Sequence, residues 1–173
     1  MNEVLETIKT RRSIKKFKPD PIPEEYIEKI IEAGTYAASG MNEQAAIILA
    51  VTNKDIIQLL SNVNAEIKGV AGDPFYGAPV VLVVLANSSR LTRVEDGSLV
   101  IGNMMLAAHS LGIGSCWVHR AKETFERPEW KAWLKSIGIQ GTYVGVGNCA
   151  LGYPDMDYPK PLPRKENRVF YIK

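Results

Sequence analysis

Three short stretches hold most of the side chains in this sequence that could do chemistry. In Arg11-Arg12-Ser13-Ile14-Lys15-Lys16-Phe17, four cations and a hydroxyl fall where a helical stretch ends. Charge that dense is not buried without an anionic partner. It suits a phosphate with a polar ring beside it; taken alone it also fits solvated surface or a nucleic-acid contact. In the small polar loop Ala38-Ser39-Gly40-Met41-Asn42-Glu43-Gln44, Asn42 and Gln44 offer paired donors and acceptors for the edge of a heterocycle, unless the loop is a plain connection. In Lys160-Pro161-Leu162-Pro163-Arg164-Lys165 the prolines stiffen the chain, so its cations are ordered with little further entropy loss. That favours bidentate binding of a phosphate by Arg164 with Lys165 nearby; the bland alternative is a solvated charge run.

Other chemistries find less support. Gly145-Val146-Gly147-Asn148-Cys149-Ala150 matches a dinucleotide fingerprint after a strand, but Leu151-Gly152-Tyr153-Pro154 follows where that motif needs a helix. The glycines read better as close packing of a buried strand. There is no phosphate-binding loop of the G-x-x-x-x-G-K-S/T kind and no G-x-S-x-G elbow. His109 sits in an apolar helix and reads as a packed or interface residue. Together with His119 it lacks the spaced carboxylates of a metal centre, so no metal site is expected. Cys116 and His119 point to opposite faces of a strand and do not make a nucleophile pair. Cys116 and Cys149 form no CxxC, too few thiolates for a structural zinc or iron–sulfur site, and they fit a reducing compartment.

Apolar spacing supplies the elements that would position these stretches. Helices are expected over residues 3–12, from Pro23 to about Gly34, from Asn53 or Asp55 through Leu60, over 96–111, and as one or two segments over 122–137. Strands are expected over 45–52, 79–86, 115–119 and 142–151, the first two as buried runs. Residues 62–78 are loosely patterned and read as a mobile cover, 62–76 being the expected substrate-side lid. Helix 96–111 has little charge, which marks a central or interface helix. The tail from Tyr153 to Pro163 carries four prolines and is extended, yet it ends in the strand-like Val169-Phe170-Tyr171-Ile172. That stretch is expected to dock on a sheet edge, its own or a partner's.

The chain of 173 residues reads as one domain over 1–173, with 153–173 as an extended arm. A net charge of +2 is too small for a general polyanion binder, and with no basic stripe or aromatic platform no nucleic-acid partner is expected. The start has no signal-peptide pattern, and the longest apolar run, 78–86, is too short to span a bilayer. A cytoplasmic protein without a membrane partner is expected.

The three stretches coincide with motifs of one family, and over essentially its whole length the chain resembles the FMN-dependent nitroreductases. Arg11-Arg12-Ser13-Ile14-Lys15 resembles the family's R-R-S-x-R, and Ser39 to Gln44 its S-x-x-N-x-Q. Tyr76-Gly77-Ala78-Pro79 resembles its strand-leading G-A-P, and Leu111 to Trp117 its G-L-G-S/T-C-W. Leu151-Gly152-Tyr153-Pro154 with Arg164-Lys165 resembles its G-Y-P and P-R-K ending. Two departures stand out: Gln44 is followed by Ala45-Ala46 where the family commonly has Pro-Trp, and the long helices that cover the flavin in larger members are missing.

The resemblance implies an α/β (α+β) fold in three layers, a central mixed, mainly antiparallel sheet flanked by helices, with the tail wrapping the partner subunit. It implies a homodimer with FMN at two interface sites. Arg11, Arg12, Ser13, Lys15, Arg164 and Lys165 would come from one subunit, and Ser39, Met41 and Asn42 from the other, with Gln44 also binding the cofactor. Trp117, Val118 and His119 would line the flavin, with a backbone N–H near N5 and Lys15 stabilising the anion of the reduced ring. No side chain is expected to be catalytic in its own right. The implied activity is ping-pong hydride transfer from NADH or NADPH through FMN to small electron-poor acceptors such as nitroaromatics or quinones. The rivals are a specialised flavoenzyme with a different donor and a flavin-binding sensor that does not turn over.

Overall fold

In the computed structural model, which describes residues 2–173, the chain begins α1 (Glu3–Thr10), α2 (Glu24–Thr35), a 3₁₀ turn (Gly40–Asn42), β1 (Ala46–Val51) and α3 (Lys54–Lys68). It continues β2 (Val80–Asn87), α4 (Arg93–Ser110), β3 (Gly114–Val118), α5 (Ala121–Glu126), α6 (Pro128–Ser136) and β4 (Tyr143–Gly152). The strands form one sheet in the order β1-β2-β4-β3, with every neighbouring pair antiparallel. Among the described residues, one isolated parallel bridge joins Ser13 to Ser115 on the outer edge of β3.

β2 is the spine because its aliphatic side chains have an apolar layer on each side. Leu82, Val84 and Ala86 face Ile30 of α2 and Ile101, Met104 and Ala108 of α4. Val81, Val83 and Leu85 face Leu60 of α3, Phe125 of α5, Trp130 and Leu134 of α6, and Phe75. Truncating one of these, as in Leu82→Ala, costs about 2–5 kcal/mol in so enclosed a position. β4 fits between β2 and β3 because two of its glycines admit close neighbours. A Cβ on Gly147 would stand 2.6 Å from the Trp117 indole nitrogen, and one on Gly145 would stand 2.2 Å from the Ala121 carbonyl. The dinucleotide-like run is therefore a packed strand.

Two expectations need correction. β1 is an edge strand, half-buried along most of its length, because it pairs on one side only. The helix that starts at the Asn53 cap does not stop at Leu60; it runs to Lys68 and closes on Gly69 in the left-handed conformation. Its periodicity is masked because two of its buried positions are the polar Ser61 and Asn64. Half of the expected mobile cover is thus regular helix, and the rest is tied down. Asp73 accepts hydrogen bonds from the Ser61 hydroxyl (2.5 Å) and from the N–H groups of Phe75 (2.8 Å) and Gly77 (2.6 Å). Among the described residues, Val169 to Ile172 pair with no edge of their own sheet and lie exposed, which leaves a partner's edge as the expected docking place. Val4, Leu5 and Ile8 of α1 and Leu99 of α4 are at least half exposed as well. No helix among the described residues is long and apolar enough to cross a membrane.

Candidate functional site

The basic cluster turns a corner at the end of α1. The N–H of Arg11 closes the helix on the Thr7 carbonyl (3.0 Å). Three residues on, the fully buried Ile14 donates its N–H to the Ser115 carbonyl (3.0 Å), locking the segment along the outer edge of β3. The tail then folds back on the cluster. The Lys15 N–H meets the Met156 sulfur at 3.3 Å, Lys16 pairs with Asp155 at 2.7 Å, and Tyr158 packs on the His109 ring with centroids 5.6 Å apart. Arg11, Arg12, Ser13, Pro161 and Arg164 line an open cavity of about 740 Å³, and Lys165 is next along the exposed tail.

This corner carries unspent donors. Arg12 gives Nη1 to the carbonyls of Lys9 (2.8 Å) and Arg11 (2.7 Å), which fixes its guanidinium across the helix end. Its Nε, and Nη1 of Arg11, are buried with no hydrogen-bond partner among the described residues. A buried charged donor without an acceptor is costly, and phosphate oxygens are the acceptors that match a guanidinium fork. The donor set therefore fits the phosphate of FMN. His109 meets the Thr10 hydroxyl at 2.8 Å, and burial together with Arg11 and Arg12 holds its pKa below the ordinary value.

The polar loop is built differently. Asp96, buried on α4, accepts from the Gly40 N–H and from the Thr92 hydroxyl, each at 3.0 Å. Ser39 accepts from the Gln44 N–H (3.1 Å), and the Gln44 amide donates to the Asn42 side chain (3.3 Å). Met41, Asn42 and Gln44 all have positive φ, at 52°, 55° and 48°. Left-handed backbone at non-glycine residues costs of order 1–2 kcal/mol each and persists where the surroundings enforce it. Met41 is 94% exposed.

The loop leads into β1, whereas the basic corner runs beside β3. These are opposite edges of the sheet, about 14 Å apart across three strand spacings. The fold therefore gathers Arg11, Arg12, Ser13, Lys15 and Arg164 on one side and Ser39, Met41, Asn42 and Gln44 on the other. Within one chain it does not bring the two groups together.

Trp117 and Val118 end β3, and His119 and Arg120 turn the chain into α5, with Arg120 at φ 79°. Two buried asparagines hold this turn. Asn64 of α3 donates to the His119 carbonyl at 2.6 Å, and Asn148 of β4 donates to the carbonyls of Val118 (3.2 Å) and His119 (3.4 Å). Glu123 takes a 2.7 Å ion pair from Arg120 and leaves its second oxygen buried and unpaired. Burial pushes the Glu123 carboxyl up, but its hydrogen bonds outweigh that and hold it below the usual range. Sequence reasoning passed over Asn64, Asn148, Asp73 and Asp96. The available signal was a polar residue in an apolar strand or helix face, as at Asn148. Burial also pushes the Cys116 thiol up, and that of Cys149 to about 12, so neither is a thiolate at neutral pH.

The sequence profile of the nitroreductase family matches residues 8–158. The chain belongs to the nitroreductase family. A Methanothermobacter thermautotrophicus protein, provisionally named an NADH dehydrogenase/NAD(P)H nitroreductase, is 37% identical over 66% of this chain and 60% of its own length. An Archaeoglobus fulgidus protein with the same provisional name is 33% identical over 89% of this chain and 87% of its own. Among solved structures, the FMN-bound nitroreductase of Bacteroides fragilis superposes with a TM-score of 0.90, at 32% identity and 100% coverage of both chains. The three-layer architecture with an antiparallel sheet is thus the nitroreductase fold, and this chain spans 60% of the first of these relatives.

Proposed function

We propose that the protein is an FMN-dependent oxidoreductase that takes hydride from NADH or NADPH and passes electrons to a small electron-poor acceptor, and that each FMN lies between two copies of the chain. The observation that carries this reading is the pair of orphaned guanidinium nitrogens at the β3 edge, set beside a separate loop of left-handed residues at the β1 edge. One edge offers charge for a phosphate, the other polar edges for a ring. A symmetric dimer that apposes unlike edges would complete two equivalent sites.

In this arrangement Arg11, Arg12, Ser13, Arg164 and Lys165 bind the phosphate. β3 acts as a spacer: from Ser115 to His119 an extended chain covers about 13 Å, enough for a ribityl chain between phosphate and ring. Lys15 would hold the ring and supply positive charge that stabilises its reduced, anionic form. Trp117, Val118 and His119 would hold the ring together with Ser39, Met41, Asn42 and Gln44 of a second copy. FMN, when bound, would supply the hydride chemistry of a ping-pong exchange between nicotinamide and acceptor. The chain binds, orients and shields. The arm 153–173 leaves the single domain 1–173 to reach the partner, carrying the exposed Phe170 and Ile172 out of water. Two buried free cysteines suit a reducing, cytoplasmic setting.

The test is an absorbance spectrum of the purified protein with its mass in solution, followed by anaerobic titration with each nicotinamide. A yellow dimer with about one FMN per chain, bleached by NADH or NADPH, is expected. A colourless protein that takes up no added FMN would sink the reading. FMN bound but not reduced by either nicotinamide would point to a different donor or to a sensor.

A further inference from the structure

The turn after β3 is held from behind by two side-chain amides that the binding reading leaves without a role. Asn64 and Asn148 are 1% and 2% exposed and come from elements far apart in sequence, α3 and β4. Both aim the same group, the side-chain NH₂, at the same peptide. Asn64 reaches the His119 carbonyl at 2.6 Å; Asn148 spans the Val118 and His119 carbonyls at 3.2 and 3.4 Å. Burying two primary amides is costly unless their hydrogen bonds are made, and apolar residues at both sites would pack β4 and α3 without that cost. Their placement is thus informative about what the turn must do.

The consequence follows from peptide geometry. In a planar trans peptide the C=O and the following N–H point in opposite directions. Pinning the Val118 and His119 carbonyls toward Asn64 and Asn148 turns the N–H groups of His119 and Arg120 the other way. Neither N–H donates to another group among the described residues. Arg120 is kept left-handed, φ 79°, while its guanidinium is drawn to Glu123 at 2.7 Å. The result is two adjacent backbone donors with fixed direction at the end of β3, and they need no reorganisation when an acceptor arrives.

We infer that Asn64 and Asn148 are positioning residues: their amides clamp the 118–120 backbone so that the His119 and Arg120 N–H groups present a rigid donor pair to the N5 and C4-carbonyl edge of the flavin. This inference rests on the FMN reading above. Neither asparagine touches the ring. They act only through the direction of two peptide planes, and loosening the clamp by even about 1 Å is enough to cost on the order of 100-fold in a reaction that depends on orientation.

The experiment uses the full-length dimer loaded with ¹⁵N-enriched FMN, as wild type and as Asn64→Leu, Asn148→Leu and the double variant. The wild-type N5 resonance should sit upfield, as for a hydrogen-bonded nitrogen. In the variants it should move downfield, most in the double variant, while FMN stays bound through the distant phosphate corner and the ³¹P resonance is unchanged. The turnover number should fall at least about tenfold with little change in FMN content. An N5 resonance unmoved in loaded, folded variants would overturn the inference and leave the FMN reading intact. Should the leucine variants fail to fold, the wild type alone decides: the His119 and Arg120 amide resonances must shift when FMN is added to the apo protein, and unshifted amides overturn the inference. A wild type that takes up no FMN overturns both.

Discussion

The two edges of the sheet solve opposite problems. At the β3 edge, backbone bonds from Arg11 and Ile14 lock the segment in place, with Ile14 buried outright, and what is unsatisfied there is charge: among the described residues Nη1 of Arg11 and Nε of Arg12 have no acceptor. At the β1 edge the polar groups are satisfied, Asp96 holding Gly40 and Ser39 holding Gln44, and what is stored is conformational strain at Met41, Asn42 and Gln44. One edge waits for an anion, the other holds a shape. The contrast teaches that a ligand site can be divided between a charged half that needs its ligand for stability and a strained half that the fold alone supports.

The sharpest way to break this contrast is to remove the charge. Arg11→Ala with Arg164→Ala should weaken FMN binding by at least about 100-fold, since hydrogen bonds to charged groups contribute roughly 1.5–3 kcal/mol each. Thermal stability of the apo protein should rise or hold steady, because an unpaired buried cation is gone; fluorescence titration with FMN and a melting curve check both. At the other edge the order reverses. Asp96→Ala leaves the Gly40 N–H and the Thr92 hydroxyl unpaired, so the apo protein should lose about 1–3 kcal/mol of stability, measured by urea unfolding.

A smaller effect tests whether His109 belongs to the charged half. Its pKa in the folded chain lies below the ordinary 6.5 through burial and through Arg11 and Arg12. The unfolded chain therefore binds this proton more readily than the folded one. Apo stability is unaffected well above 6.5 and falls as the pH drops from there through the folded pKa. His109→Gln should flatten that acid slope in urea midpoints taken from pH 7.5 to 5, and FMN, by neutralising the two arginines, should lessen it in the wild type. The smallest effect belongs to Lys16, whose pair with Asp155 is solvent-exposed. Lys16→Ala should leave FMN affinity and melting temperature unchanged within error.

The sequence was legible where periodicity and charge agree. β2 reads as buried on both faces because an uninterrupted run of aliphatic residues has no other use, and α4 reads as a central or interface helix because it carries so little charge. The basic corner was visible because four cations in six residues need an explanation. What stayed hidden is what depends on partners distant in sequence. α3 was cut short at Leu60 because Ser61 and Asn64 look like surface residues until Asp73 and His119 are seen to bond them. β1 read as buried because its composition matches that of β2, and only the strand order puts it at an edge. Asn148, in the middle of a strand, offered a local signal, yet its purpose lies in the backbone of another strand.

The division of the site between two copies is tested most directly by complementation. One variant carries Arg11→Ala with Arg164→Ala; the other carries Asn42→Glu, which puts charge and bulk on the strained loop. Each homodimer should bind FMN poorly. Co-expressed through separate tags and purified as a mixed dimer, the pair should regain one intact site per dimer, about half an FMN per chain at wild-type affinity, because two-fold symmetry places both mutated halves in the other site. A mixed dimer with no recovered high-affinity FMN would contradict a site shared between copies.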